Sequence, residues 1–137
     1  MRFLRLLPAL VLCGACLPAF AATEPQTIKA ILTDNAIRLD VKTVKPGLVT
    51  FDVTNTSTTK MPHEMVVLRS DLDASNLPVK GARVEEAKYK NVGEVSGLKA
   101  GRSRNLTLTL APGHYDVICN MPGHYEMGMR TSLTVEK

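Results

Sequence analysis

Cys119, His124 and Met129 stand in one short segment, Cys119-Asn120-Met121-Pro122-Gly123-His124-Tyr125-Glu126-Met127-Gly128-Met129. A thiolate, an imidazole and a thioether are soft donors, and together they suit copper. Two histidines and a cysteine in a trigonal set, with a weak axial methionine, form the donor set of one-electron copper chemistry. A single loop between two strands can carry three of those donors. The second imidazole has to come from elsewhere. Met61-Pro62-His63-Glu64-Met65 offers it, directly after a polar stretch and at the start of an apolar one. Each residue has a plainer alternative: a surface histidine at 63, a turn histidine at 124, a core methionine at 129. Their combination favours a metal. The third histidine, His114, is assigned a structural place. It lies five residues before Cys119 on one predicted strand, so the two side chains point to opposite faces.

The cysteine inventory supports the same reading. Residues 1–21 have the form of an export signal: Arg2 and Arg5, then a mostly apolar run from Leu6 to Leu17, then Ala19-Phe20-Ala21 as a cleavage site. The run is short and broken by Pro8 and Pro18, which argues against a membrane span. Cleavage would start the chain at Ala22 and remove Cys13 and Cys16, leaving Cys119 alone of the three cysteines. A minor alternative places a lipid anchor on Cys16, after Gly14-Ala15. An unpaired thiol in an oxidising compartment is a liability unless it is buried or holds a metal. Arg2 and Arg5 leave with the signal, so 15 of the 17 basic residues remain against 13 acidic ones. That balance is too mild to argue for nucleic acid or anionic lipid.

The elements that must position the donors read as strands and turns. Ile28, Ala30 and Leu32 alternate with polar neighbours, as do Ile37, Leu39 and Val41, then Val49, Phe51 and Val53. Asp34-Asn35 and Lys45-Pro46-Gly47 are turns between them. Met65 to Leu68 is a short β-prone run, and Val92 to Val95 a further candidate strand. Leu106, Leu108 and Leu110 share one face, His114 to Cys119 follows, and Met129, Thr131, Leu133 and Val135 share a face in the last strand. Residues 70–91 break the pattern and predict an irregular excursion, with a short helix over Arg83 to Lys88. Residues 22–137 therefore predict one all-β domain, an antiparallel sandwich.

With both motifs in view, the chain resembles the cupredoxin family, which includes plastocyanins, azurins and rusticyanins. The resemblance rests on His63 ahead of a strand and on Tyr115 to Met129, a Tyr-x-x-x-Cys strand followed by C-x4-H-x4-M. It implies a Greek-key β-sandwich of about seven to eight strands. It also implies one type 1 copper, blue or green, held by His63, Cys119, His124 and a methionine. Met129 is preferred to Met127, because Gly128-Met129 matches the family's context and Met127 would need a tighter loop. Glu64 departs from the pattern: many relatives carry Asn there, bracing the ligand loops.

Two functions follow as expectations. One is an exported, periplasmic electron carrier, monomeric, meeting a redox partner transiently. The other is a copper-binding protein for tolerance or delivery, using Met61, Met121 and Met127 as a rim around the site, with Met65 expected to point inward. An enzyme is not expected, because Ile118 and Asn120 flank Cys119 and no His-Cys-His bridges to a second copper.

Overall fold

The computed structural model describes residues 24–137, so the expected export signal and Cys16 lie outside the described residues. Eleven strands and a single 3-10 turn, Glu86–Lys88, make up the regular structure. One sheet has the order β2 (Ile37–Leu39), β1 (Gln26–Leu32), β4 (Gly47–Asn55), β9 (Ser103–Leu110). The other runs β3 (Thr43–Val44), β11 (Arg130–Val135), β10 (Gly113–Ile118), β5 (His63–Arg69), β8 (Lys90–Leu98). A two-stranded ribbon of β6 (Val79–Lys80) and β7 (Arg83–Val84) lies within the excursion.

Period-two alternation decides which side chains meet. Ile28, Ala30, Leu32, Val49, Phe51 and Val53 from the first sheet are fully buried. They share one core with Met65, Val67, Tyr115, Val117 and Leu133 of the second, and with Cys119 just past β10. Burying a side chain of this size contributes roughly 1.5–3 kcal/mol before conformational entropy is deducted. The Tyr115 hydroxyl donates to the Ala111 carbonyl at 2.8 Å and pins the turn ahead of β10. Gly93 allows the sheets to close at β8 and β9, since a Cβ there would lie 2.5 Å from a Leu108 methyl.

Three features differ from the sequence expectation. First, the sheets are mixed: β1 runs parallel to β4, and β3 parallel to β11. Strand direction depends on which distant segments pair, and local alternation carries no information about that. Second, β2 ends at Leu39, leaving Val41 40% exposed in the following bend. Third, Arg83 to Lys88 is mostly not helix: Arg83–Val84 pairs as a strand and only Glu86–Lys88 turns.

The excursion also explains why Met65 to Leu68 lacks alternation. Met65 and Val67 face the main core. Val66 and Leu68 face the opposite way, into a second cluster with Leu77, Val84, Ile118 and Tyr125. Residues 70–91 cover the outer face of β5, so both faces of that strand are buried.

Candidate metal centre

Strand ends converge at one end of the sandwich, and the predicted donors sit there. His63 is the first residue of β5, and Cys119 directly follows β10. His124 belongs to the loop that leads into β11. His63 Nδ1 lies 3.2 Å from His124 Nδ1, and Cys119 Sγ lies 3.4 Å from His124 Nδ1. One ligand atom from each residue falls within 4.8 Å of the others, and all three residues are buried.

A bulge shapes this site. The β5–β8 register shifts between His63 and Met65, which frees the Glu64 amide from the ladder. That amide points at Cys119 Sγ, 3.5 Å away. The loop is closed by its own backbone: Met129 N–H donates to His124 O and Cys119 N–H to Met129 O, both at 3.0 Å. Gly128 takes φ +114°, and a Cβ there would lie 3.0 Å from the Asn35 carbonyl. The chain therefore turns sharply just before Met129, pressed against the β1–β2 turn.

Met129 is fully buried behind these bonds, whereas Met127 is 56% exposed. Met65 is also buried and faces the core, Met121 is half-buried, and Met61 is exposed. His114 lies apart from the site. Its Nε2 meets a carboxylate oxygen of buried Asp116 at 3.1 Å.

Burial governs the charges. It pushes the Cys119 thiol up from its ordinary range, against the Glu64 and Met121 amides. Burial lowers both histidines, and His124 adds to the effect on His63 while Asp34 opposes it. All three groups are thus held neutral before metal arrives. His63 Nε2 is buried without a hydrogen-bond partner among the described residues. Two imidazole nitrogens and a sulfur crowding one point, uncharged, fit a soft cation better than they fit each other.

Ligation by the thiolate must then expel the thiol proton. Copper(II) affinity is expected to rise about tenfold per pH unit from roughly pH 7 to 8.5, where the thiol is still protonated and both histidines are neutral. Competition titrations across that range check this. An affinity independent of pH would remove Sγ from the ligand set.

Residues that the sequence reading did not single out hold the donors in place. Asn120 is buried beside Cys119 and clasps the excursion. Its Oδ1 accepts from Val84 N–H at 2.6 Å, and its Nδ2 donates to Val84 O at 2.9 Å and Glu86 Oε1 at 2.7 Å. Tyr125, beside His124, donates its hydroxyl to Ala74 O at 2.6 Å and accepts from Leu77 N–H at 3.0 Å. Asn55, at the end of β4, donates to Met61 O at 3.1 Å and Leu98 O at 2.8 Å, bracketing His63. Asp34 accepts from Ser57, Thr58 and Thr59, which hold its carboxyl well below the usual carboxylate range. Glu64, in place of the expected Asn, is half-buried. Its carboxyl is pushed up by burial and by Glu86, against Arg83 and the Asn120 amide. Bracing of the cysteine loop falls to Asn120. Apart from Glu64, no local signal marks these residues, because their partners are mostly main-chain groups distant in sequence.

Comparison with known proteins agrees with this geometry. The family described as "Copper binding proteins, plastocyanin/azurin family" matches residues 33–136. A search of curated proteins gave no significant match. Among solved structures, auracyanin from Roseiflexus castenholzii is 27% identical, with TM-score 0.62, covering 82% of this chain and 98% of its own. Rusticyanin from Thiobacillus ferrooxidans is 20% identical, with TM-score 0.60, covering 80% and 76%. An azurin from Methylomonas sp. strain J is 17% identical, with TM-score 0.59, covering 82% and 98%. The last two support the fold alone. The chain belongs to the plastocyanin/azurin family of copper-binding cupredoxins, and its His63, Cys119 and His124 cluster is suited to a single type 1 copper.

Proposed function

We propose that this protein is an exported one-electron carrier whose copper is held by His63 Nδ1, Cys119 Sγ and His124 Nδ1, with Met129 as axial ligand. The observation that carries the reading is the buried convergence of the three donor atoms within 4.8 Å. Copper in such a set supplies one-electron exchange between Cu(II) and Cu(I). The chain's part is to keep the donors still and dry. Asn55 fixes the approach to His63, Asn120 ties the cysteine loop to the excursion, and Tyr125 anchors the segment after His124. Donors that need not rearrange make electron exchange fast.

Met129 is preferred over Met127 because it is buried and backbone-bonded to both Cys119 and His124. A weak axial bond tunes potential more than affinity. Met129→Leu is expected to retain copper and raise the reduction potential, with a smaller shift for Met127→Leu. Voltammetry of the loaded proteins checks this, and the reverse order would reassign the axial ligand. No catalytic residue belongs to this reading, since His114 is taken up by Asp116 and no second histidine pair flanks Cys119. Export rests on residues 1–21, and a periplasmic protein starting at Ala22 is the expected product.

A second reading, copper handling for tolerance or delivery, is favoured by the exposure of Met61 at 44% and Met127 at 56%. Thioethers take up Cu(I) without deprotonation. Replacing Met61, Met121 and Met127 with Leu is expected to slow Cu(I) uptake and leave electron exchange of loaded protein nearly unchanged. Unchanged uptake would leave the carrier reading alone.

A further inference from the structure

A basic groove lies beside the His63 side of the site. The loop 56–62 and the turn 99–102 form its walls, joined through Asn55. Asn55 N–H donates to Arg102 O at 3.0 Å, and Gly101 N–H donates to Asn55 O at 2.7 Å. A hollow of about 690 Å³ is lined by Lys60, Pro62, Gly97, Lys99 and Ala100. A second, about 280 Å³, shares Gly97 and Lys99 and adds Arg102 and Arg104. Pro62 is the residue before His63, and Leu98 pairs with His63 across β5 and β8.

The charge here is predominantly positive. Lys60, Lys99, Arg102 and Arg104 are all exposed, and among the described residues none of them forms an ion pair. Residues 53–63 and 95–115 contain no Asp or Glu. Two carboxylates stand nearby and offset part of this charge: Asp34, hydrogen-bonded by Ser57, Thr58 and Thr59, and Glu94, hydrogen-bonded by Ser96 and Asn91, so four cations face two acidic groups. The excess of positive charge is thus gathered where loops meet at the copper end. Apolar surface belongs to its lining at Pro62, and exposed Met61 stands between Lys60 and Pro62 in the chain. An apolar centre with a charged rim is the anatomy of a protein interface, and charge of one sign steers a partner of the other. The surface is concave, which suits a projecting protein segment better than a flat bilayer.

Resting on the carrier reading, we propose that this groove is the docking surface for an acidic protein that exchanges electrons with the copper site. One electron passes per encounter, oxidising one protein and reducing the other. The test uses a basic c-type cytochrome and the same cytochrome with its lysines succinylated, as ferric acceptors from the reduced copper protein. The succinylated form is expected to react about tenfold faster than the native form at low ionic strength, with the advantage lost as salt rises. The variant Lys60→Glu/Lys99→Glu/Arg102→Glu is expected to cancel that advantage and leave unchanged the visible spectrum and the rate with a small uncharged quinone acceptor. Equal rates for the two cytochromes, or an advantage that survives in the variant, overturns the proposal. So does charge-dependent binding to phosphatidylglycerol vesicles without any effect on the cytochromes, which would assign the patch to a membrane surface. Failure of the carrier reading is seen separately, as no exchange even with hexacyanoferrate. Docking is then judged from amide shifts of the metal-free protein mixed with the succinylated cytochrome. Shifts at Lys60 and residues 99–104 support it, and their absence overturns it.

Discussion

Cys119→Ser is expected to abolish the intense visible absorption on adding Cu(II) and to weaken copper binding by at least about a hundredfold. Loss of outer partners of a metal ligand alone costs roughly 10–100-fold, and here the ligand itself goes. The serine hydroxyl is a hard donor and stays protonated at neutral pH, so it supplies neither the soft bond nor the charge. The metal-free fold is expected to survive within about 1–2 kcal/mol. The replacement is close in size, and His124 Nδ1 and the Glu64 amide remain near enough to satisfy a hydroxyl. Absorption spectra and competition titrations read the first effect, and urea unfolding of metal-free protein reads the second. A serine variant that stays intensely coloured would remove Cys119 from the site.

The largest expected loss of stability is at Asn55. It is fully buried, and its side chain bridges two carbonyls and the Ser57 amide. Asn55→Ala strands those groups at the base of the ligand loops. Each unsatisfied buried group costs about 1–3 kcal/mol, and water can reach the Met61 and Ser57 partners more easily than that of Leu98. A net cost of about 3 kcal/mol is expected for the metal-free protein, with weaker copper binding because His63 loses its bracket. Thr54→Ala, one residue earlier and facing away from the core, loses only its hydroxyl contact with Ser103, and as the control should cost no more than about 1 kcal/mol. An Asn55→Ala protein as stable as that control would show that the bracket is not needed.

The contrast between these two residues explains what the sequence made legible. Cys119, His124 and His63 stand out because a lone thiol with soft neighbours has few other uses in a chain with an export signal. Strands β1 and β4 stand out because alternation over many residues repeats one decision several times. Strands β3, β6 and β7 are two residues each, too short to show a period. Leu106, Leu108 and Leu110 do share a face, but only Leu110 is fully covered, because β9 is an edge strand. Asn55, Asn120 and Tyr125 look like ordinary loop residues until the fold brings their partners to them. Asn120 meets Val84 across 36 residues of chain, and nothing near either one announces the meeting.

The order of strands in the second sheet has a consequence in time. β10 and β11, the last strands in the chain, occupy the middle of that sheet, between β3 on one side and β5 on the other. Until the final segment arrives, β3 and the β5–β8 pair have no common neighbour, and pairing across such distances is slow. Cys119, His124 and Met129 travel on that same segment. The ligand set can therefore assemble only once this segment has inserted, together with the closing of the sheet. For that interval the only thiol of the described chain is bare. Oxidation then competes with the rate of sheet closure and no longer with the stability of the finished fold. A variant that slows the insertion of β10 should accumulate oxidised, colourless protein even when its folded state is as stable as the parent's.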